Sequence, residues 1–182
     1  MQTGKQIAVI ALMSATLTGG KMAMSFIPNV EPVSILLALY AYVFGIYYAL
    51  PCAIVFVTTE TFIWGVNTWV ISYFIYWPLL AIVFSLLGKR KAKLWQTILT
   101  AVLMTLLFGV LTSLVDVGLF MGRFDNFWAR FATMYARGIL FFAIHVVSNC
   151  VIFTAAFNPL KKILSKLKQN LFPDDMLEVK NN

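Results

Sequence analysis

Residues 69–88 read Trp-Val-Ile-Ser-Tyr-Phe-Ile-Tyr-Trp-Pro-Leu-Leu-Ala-Ile-Val-Phe-Ser-Leu-Leu-Gly, and no side chain in this stretch is charged. At 1.5 Å per residue, a helix of about 20 residues crosses the hydrocarbon core of a bilayer. The next five residues, Lys89-Arg90-Lys91-Ala92-Lys93, carry four positive charges. The stretch therefore predicts a transmembrane helix that ends in a basic loop.

The composition of the whole chain agrees with this stretch. Of the 182 residues, 61% are hydrophobic and only 12% are charged, and the mean hydropathy is +0.86. A soluble domain needs far more polar surface to cover its core. The formal charge of +7 could suggest nucleic acid, but Lys and Arg lie between apolar runs, which is typical of membrane topology. We expect a lipid bilayer, and no nucleic acid, around this protein.

The same length criterion divides most of the chain into six apolar stretches. The division between the second and third is open, because both Gly45 and Pro51 can break a helix there. The prediction is an all-α integral membrane bundle of six transmembrane helices, near residues 5–26, 32–49, 50–66, 69–88, 94–121 and 131–158. Residues 1–170 would form this domain and 171–182 a polar tail.

Orientation follows from the basic residues. Six spans place both termini on one side, which would hold ten of the 14 Lys and Arg residues. Positive charge concentrates in cytoplasmic loops, so the termini and the 89–93 loop are predicted to be cytoplasmic.

Signatures of catalysis are missing from the sequence. It has no G-x-x-x-x-G-K-[ST], HExxH or GxSxG motif, and it has one histidine. Cys52 and Cys150 lie in apolar stretches without metal-ligand spacing, and we interpret both as core residues. We expect a protein that is not an enzyme and carries no metal; uphill transport would need energy from another chain.

Polar groups inside the spans are the first candidates for function, because charge within a bilayer is costly. On the predicted sixth helix, Arg137, His145 and Asn149 lie on one face. Two hypotheses remain open: Arg137 pairs with Asp116 while His145 and Asn149 join helices, or these groups line a pocket that opens to the outside. The ionisable candidates are Glu60, Asp116, Arg137 and His145.

A second set of candidates lies at the outer end of the third span and in the loop that follows it. Aromatic rings near the end of a membrane span form either an interfacial belt or the wall of a ligand pocket. The outer loop 122–130, with Arg123, repeats the mixture of rings and polar groups. The candidates at the end of the third span and in its loop are Glu60, Trp64, Asn67 and Trp69.

The first span contains a small-xxx-small spacing, Ala11 and Ala15. Small residues four apart let a second helix approach closely within a membrane.

These elements together resemble the substrate-binding S-components of energy-coupling factor (ECF) vitamin transporters. The resemblance covers nearly the whole chain, and rests on Ala11-x-x-x-Ala15 running into Pro28-Asn29-Val30-Glu31-Pro32-Val33, on Phe44-Gly45 with the segment 60–69, and on His145-x-x-Ser148-Asn149 with Asn158-Pro159. The Pro-Asn-Val and His-x-x-Ser-Asn elements are most similar to the cobalamin branch, although the segment after Glu60 departs from that branch.

The resemblance implies a mechanism. An S-component of a prokaryotic plasma membrane captures a vitamin from outside and docks on a transmembrane coupling subunit that carries two cytoplasmic ATPases. Ala11 and Ala15 would form the docking face. Cobalamin or another vitamin would be the substrate, with no other cofactor, and Asn29, Arg123 and the candidates above would be its ligands.

Two other classes compete with this interpretation. A structural or assembly subunit would bind no solute. An intramembrane enzyme would have to use Glu60, Asp116 and His145 as acid-base groups.

Overall fold

Six helices build the part of the chain that the computed structural model describes, residues 4–27, 30–120 and 125–173, and this part contains no strand. Four of these helices are long and apolar enough to cross a membrane: Ile46–Trp64, Trp69–Lys89, Leu94–Phe120 and Phe127–Leu171. The predicted all-α membrane bundle is confirmed. In chain order the helices are α1 Gly4–Ala23, α2 Val33–Phe44, α3 Ile46–Trp64, α4 Trp69–Lys89, α5 Leu94–Val115 with a π-helical continuation Asp116–Phe120, and α6 Phe127–Leu171.

The division between α2 and α3 lies at Gly45, so the predicted bounds 32–49 and 50–66 are wrong at their junction. Gly45 has φ of +86°, a conformation that side chains disfavour and glycine adopts freely. Pro51 lies inside α3 instead. Membrane helices tolerate an internal proline, because neighbouring groups satisfy the backbone that it leaves unpaired.

The short helix α2 lies at the centre of the bundle. It has only 12 residues, and it packs against α4, α6 and α3. Its buried side chains include Val33, Leu37 and Leu39, none of which is exposed. Gly88, near the end of α4, meets the backbone of α2 so closely that a Cβ there would overlap the carbonyl oxygen of Tyr42.

Helix α6 continues beyond its predicted end at residue 158. Its 45 residues measure about 68 Å, against a hydrocarbon core of about 30 Å. Pro159 lies within it. The extension is held because Leu160, Leu164 and Leu171 pack against the core.

One pole of the bundle collects both ends of the described chain and the α4–α5 loop. Lys5 Nζ donates to the carbonyl oxygen of Leu171. Lys168 Nζ donates to that of Val43 at 3.0 Å, and Tyr42 Oη donates to that of Ala92 at 2.9 Å. The opposite pole therefore holds the ends of α1, α3 and α5 and the starts of α2, α4 and α6.

Candidate ligand-binding site

A cavity of about 420 Å³ lies at the pole opposite the termini. Helices α4, α5 and α6 form its walls, and the residues at the start of α2 complete it. Most of its lining is aromatic: Trp69, Tyr73, Tyr76, Trp77, Phe108, Phe141 and Phe142. Its polar lining is Glu31, Ser34, Thr105, Thr112 and His145.

Helix α4 supplies four of the rings because of their spacing. Residues 69, 73, 76 and 77 follow the i, i+4, i+7, i+8 pattern that places side chains on one helix face. The Tyr73 ring lies edge-on to Trp69, with centroids 4.8 Å apart, and edge-on to Trp77 at 5.7 Å. Tyr76 meets Phe108 of α5 at 4.8 Å. The wall is thus a packed aromatic surface, which limits how far it can rearrange around a ligand.

Helix α6 contributes Phe141 and His145, four residues apart. Their rings stack with centroids 5.2 Å apart and planes inclined by 26°. Phe142 also lines the cavity, and its ring lies against Gly109 and Gly138, so that a Cβ at Gly138 would overlap it.

Two buried ring nitrogens of the cavity wall lack hydrogen-bond partners among the described residues: Trp77 Nε1 and His145 Nδ1. Buried polar atoms are nearly always paired, by protein, water or ligand. The indole N–H can only donate, whereas an imidazole nitrogen can accept or donate. Each nitrogen is enclosed by neighbouring side chains, so a bound molecule would reach it only if those side chains moved.

An ion pair lies next to this cavity. Lys21 Nζ, at the end of α1, donates to Glu60 Oε2 of α3 at 2.5 Å, and the Glu60 side chain is fully buried. Lys21 Nζ also lies 5.3 Å from the centroid of the Tyr73 ring, in cation–π geometry. This is the one ion pair within the described ranges.

Glu31 lines the main cavity and also a second cavity of about 340 Å³, which Lys21 and Trp64 share. Burial raises the pKa of the Glu31 carboxyl above its ordinary 4.5; nearby Lys21 partly offsets this effect and Glu60 adds to it. No hydrogen bond or ion pair reaches this carboxylate from the described part of the chain.

Five of the predicted site residues lie in or beside these cavities. Trp69 and His145 line the main cavity, and Trp64 lines the second. Glu60 is in the ion pair between them. Asn149 Nδ2 donates to Thr105 Oγ1 at 2.9 Å, an interhelical bond directly behind the cavity wall.

Other predicted site residues lie elsewhere. Asn67 is exposed and accepts the backbone N–H of Thr68 in a local turn. Asp116 begins the π-helical turn and lines neither cavity. Arg137 is exposed and lines a shallow groove on α6. Asn29 and Arg123 lie outside the described residues.

The predicted pairing of Asp116 with Arg137 is wrong, because no ion pair joins these two described residues. Arg137 is exposed on α6, and a guanidinium at the surface does not need a carboxylate partner. On α6, Phe141 and His145 line the cavity, whereas Arg137 does not.

Sequence reasoning did not single out Glu31, Lys21, Tyr73 or Tyr76 as site residues. The aromatic face of α4 was detectable from its spacing alone. The Lys21–Glu60 pair was not detectable from the sequence. It depends on how α1 packs against α3, and residue spacing does not determine that packing.

Ala11 and Ala15 are both exposed on α1, whose opposite face packs against α3 and α2. Within the described ranges, no group of three His, Cys, Asp or Glu side chains could hold a metal ion.

No protein-family model matches the chain, and no curated protein or solved structure matches it either. The fold and the cavity are therefore the basis for assigning a function, together with the sequence resemblance.

Proposed function

We propose that this multi-pass membrane protein is the substrate-binding subunit of an ATP-driven vitamin importer of the ECF type. The observation that carries the proposal is the aromatic cavity at the pole opposite the termini. Small-molecule sites are concave, mostly apolar and furnished with a few polar groups, and the cavity has these properties. In a prokaryotic plasma membrane with cytoplasmic termini, this pole faces outward.

The division of labour in such an importer fits the sequence. The chain has no phosphate-binding loop, so ATP must be hydrolysed by other subunits. Ala11 and Ala15 offer a small-residue surface that this chain leaves uncovered, and a coupling subunit would pack there. In this proposal the protein binds its substrate without changing it chemically.

The identity of the vitamin is a separate question. The resemblance favours cobalamin or a precursor, whereas a cavity of about 420 Å³ favours a smaller, flatter molecule. A corrinoid would have to extend beyond the cavity.

Titration calorimetry of the purified protein with a vitamin panel tests the proposal. The panel is thiamine, riboflavin, biotin and cobalamin, and we expect one member to bind with submicromolar affinity. Heat-denatured protein in the same detergent is the control. Absence of binding to every member would contradict the receptor function and favour a structural subunit.

A further inference from the structure

The charges around the cavity do not balance. Lys21 and Glu60 neutralise each other at 2.5 Å. Glu31 is the remaining ionisable group that lines both cavities, and no cation contacts it from the described residues. An ionised Glu31 therefore leaves one negative charge at the edge of an aromatic pocket.

The aromatic wall of the cavity also favours a positively charged ligand. Ring faces carry negative quadrupole potential and attract cations within about 6 Å. Lys21 already makes this contact with Tyr73. The other rings of the wall have no such cation among the described residues, and their faces remain for a ligand.

A negatively charged ligand is disfavoured for the same reasons. The ammonium group of Lys21 is already bound to Glu60, and Glu31 would repel a carboxylate or phosphate.

We propose that the cavity selects a flat aromatic ligand that carries a positive charge, with the charge held by Glu31 and the aromatic wall. This inference rests on the proposed receptor function and names its substrate class. The raised pKa of Glu31 agrees with it, because a half-buried carboxylate that is costly to ionise in the empty cavity is stabilised when a cation binds.

The vitamin panel separates this inference from the receptor function. Thiamine carries a fixed positive charge, biotin carries a carboxylate, and riboflavin is flat and neutral. We expect thiamine to bind most tightly. Preference for riboflavin, biotin or cobalamin would overturn the cation selectivity while leaving the receptor function intact, and binding of no member would remove both.

The variant Glu31→Gln tests the role of the carboxylate. We expect thiamine affinity to fall about tenfold to a hundredfold, as is typical when a charged partner is lost. Because burial disfavours the ionised form of Glu31, the empty variant should unfold at the same temperature as the parent or higher. Asp116→Asn is the matched control: it removes a carboxylate that lines neither cavity and should leave the affinity unchanged.

The pH dependence provides a second measurement. The titratable groups around Glu31 are Lys21 of α1, Glu60 of α3, Tyr73 and Tyr76 of α4 and His145 of α6. Since the cation needs an ionised Glu31, affinity for thiamine should weaken as the pH falls through the raised pKa of this group, and Glu31→Gln should flatten that dependence. Equal affinity and equal pH profiles in parent and variant would overturn the proposal.

Discussion

Lys21 and Glu60 form an ion pair in which the Glu60 side chain is fully buried. Removing a carboxylate from water costs several kcal/mol, and a partner at 2.5 Å recovers much of that cost. Glu60 Oε1 has no hydrogen-bond partner in the described part of the protein, so Lys21 is its main source of compensation. The pair joins α1 to α3 at the pole that carries the cavity.

A double-mutant cycle on this pair measures its contribution. We expect Lys21→Met to destabilise the protein by roughly 3–5 kcal/mol, because it leaves Glu60 buried without a partner. Glu60→Gln should cost less, since Lys21 is partly exposed and can reach water. The double variant should be more stable than the sum of the singles predicts. Thermal unfolding in detergent gives these values.

The cycle has an internal control in Asp116→Ala and Arg137→Ala. These residues form no ion pair, so their effects should add within about 0.5 kcal/mol. Additive effects at Lys21 and Glu60 would show that their contact does not stabilise the fold.

At the scale of elements, the close approach of α4 to α2 shapes the bundle. Gly88 is in contact with the backbone at Tyr42, and the Tyr42 hydroxyl donates to Ala92 just beyond α4. With no side chain at residue 88, the end of α4 can pack directly on the end of α2. The central position of a 12-residue helix depends on such contacts.

Gly88→Ala should therefore destabilise the bundle by about 1–3 kcal/mol, because the new methyl group meets backbone that cannot rotate away. Gly19→Ala is the matched control, since a Cβ there meets nothing within 4 Å. We expect that variant to be as stable as the parent, measured by thermal unfolding in detergent. Equal stability of the two variants would contradict the close contact.

The elements also show what the sequence could predict. Apolar length located all six helices, although only four of the described helices are long and apolar enough to cross a bilayer. Apolar length did not predict the end of α6, which depends on packing. Pro159 and the lysines after it indicated an exit from the membrane, but three leucines pack against the core and α6 continues to Leu171. His145 was found as a polar residue in an apolar span, whereas Glu31 was overlooked because a loop carboxylate usually lies in water.

At the scale of the molecule, the two poles differ in charge and in shape. The pole of the termini contains most of the lysines, among them Lys5, Lys89 and Lys168, and the opposite pole contains the cavity. This polarity matches the excess of basic residues in cytoplasmic loops. In the proposed importer, a substrate that enters from outside would then bind at the pole opposite the cytoplasmic ATPases.

If the proposed import function holds, the separation of the cavity from Ala11 and Ala15 leads to a prediction about transport. Ala11→Leu and Ala15→Leu should leave vitamin affinity nearly unchanged and abolish uptake. Both alanines are exposed on α1 and line none of the cavities described above. An added isobutyl group would hold a partner helix away and remove the packing contacts that drive association in lipid.

The measurement pairs calorimetric affinity with ATP-dependent uptake in vesicles that contain the coupling subunit and both ATPases. Ala155→Leu is the matched control, because Ala155 is equally exposed but lies on α6. That variant should transport normally, because it leaves the surface of α1 unchanged. Normal uptake by both α1 variants would contradict the docking face. If a variant loses both affinity and uptake, Ala11 and Ala15 support the fold of the whole protein, and the docking role is contradicted.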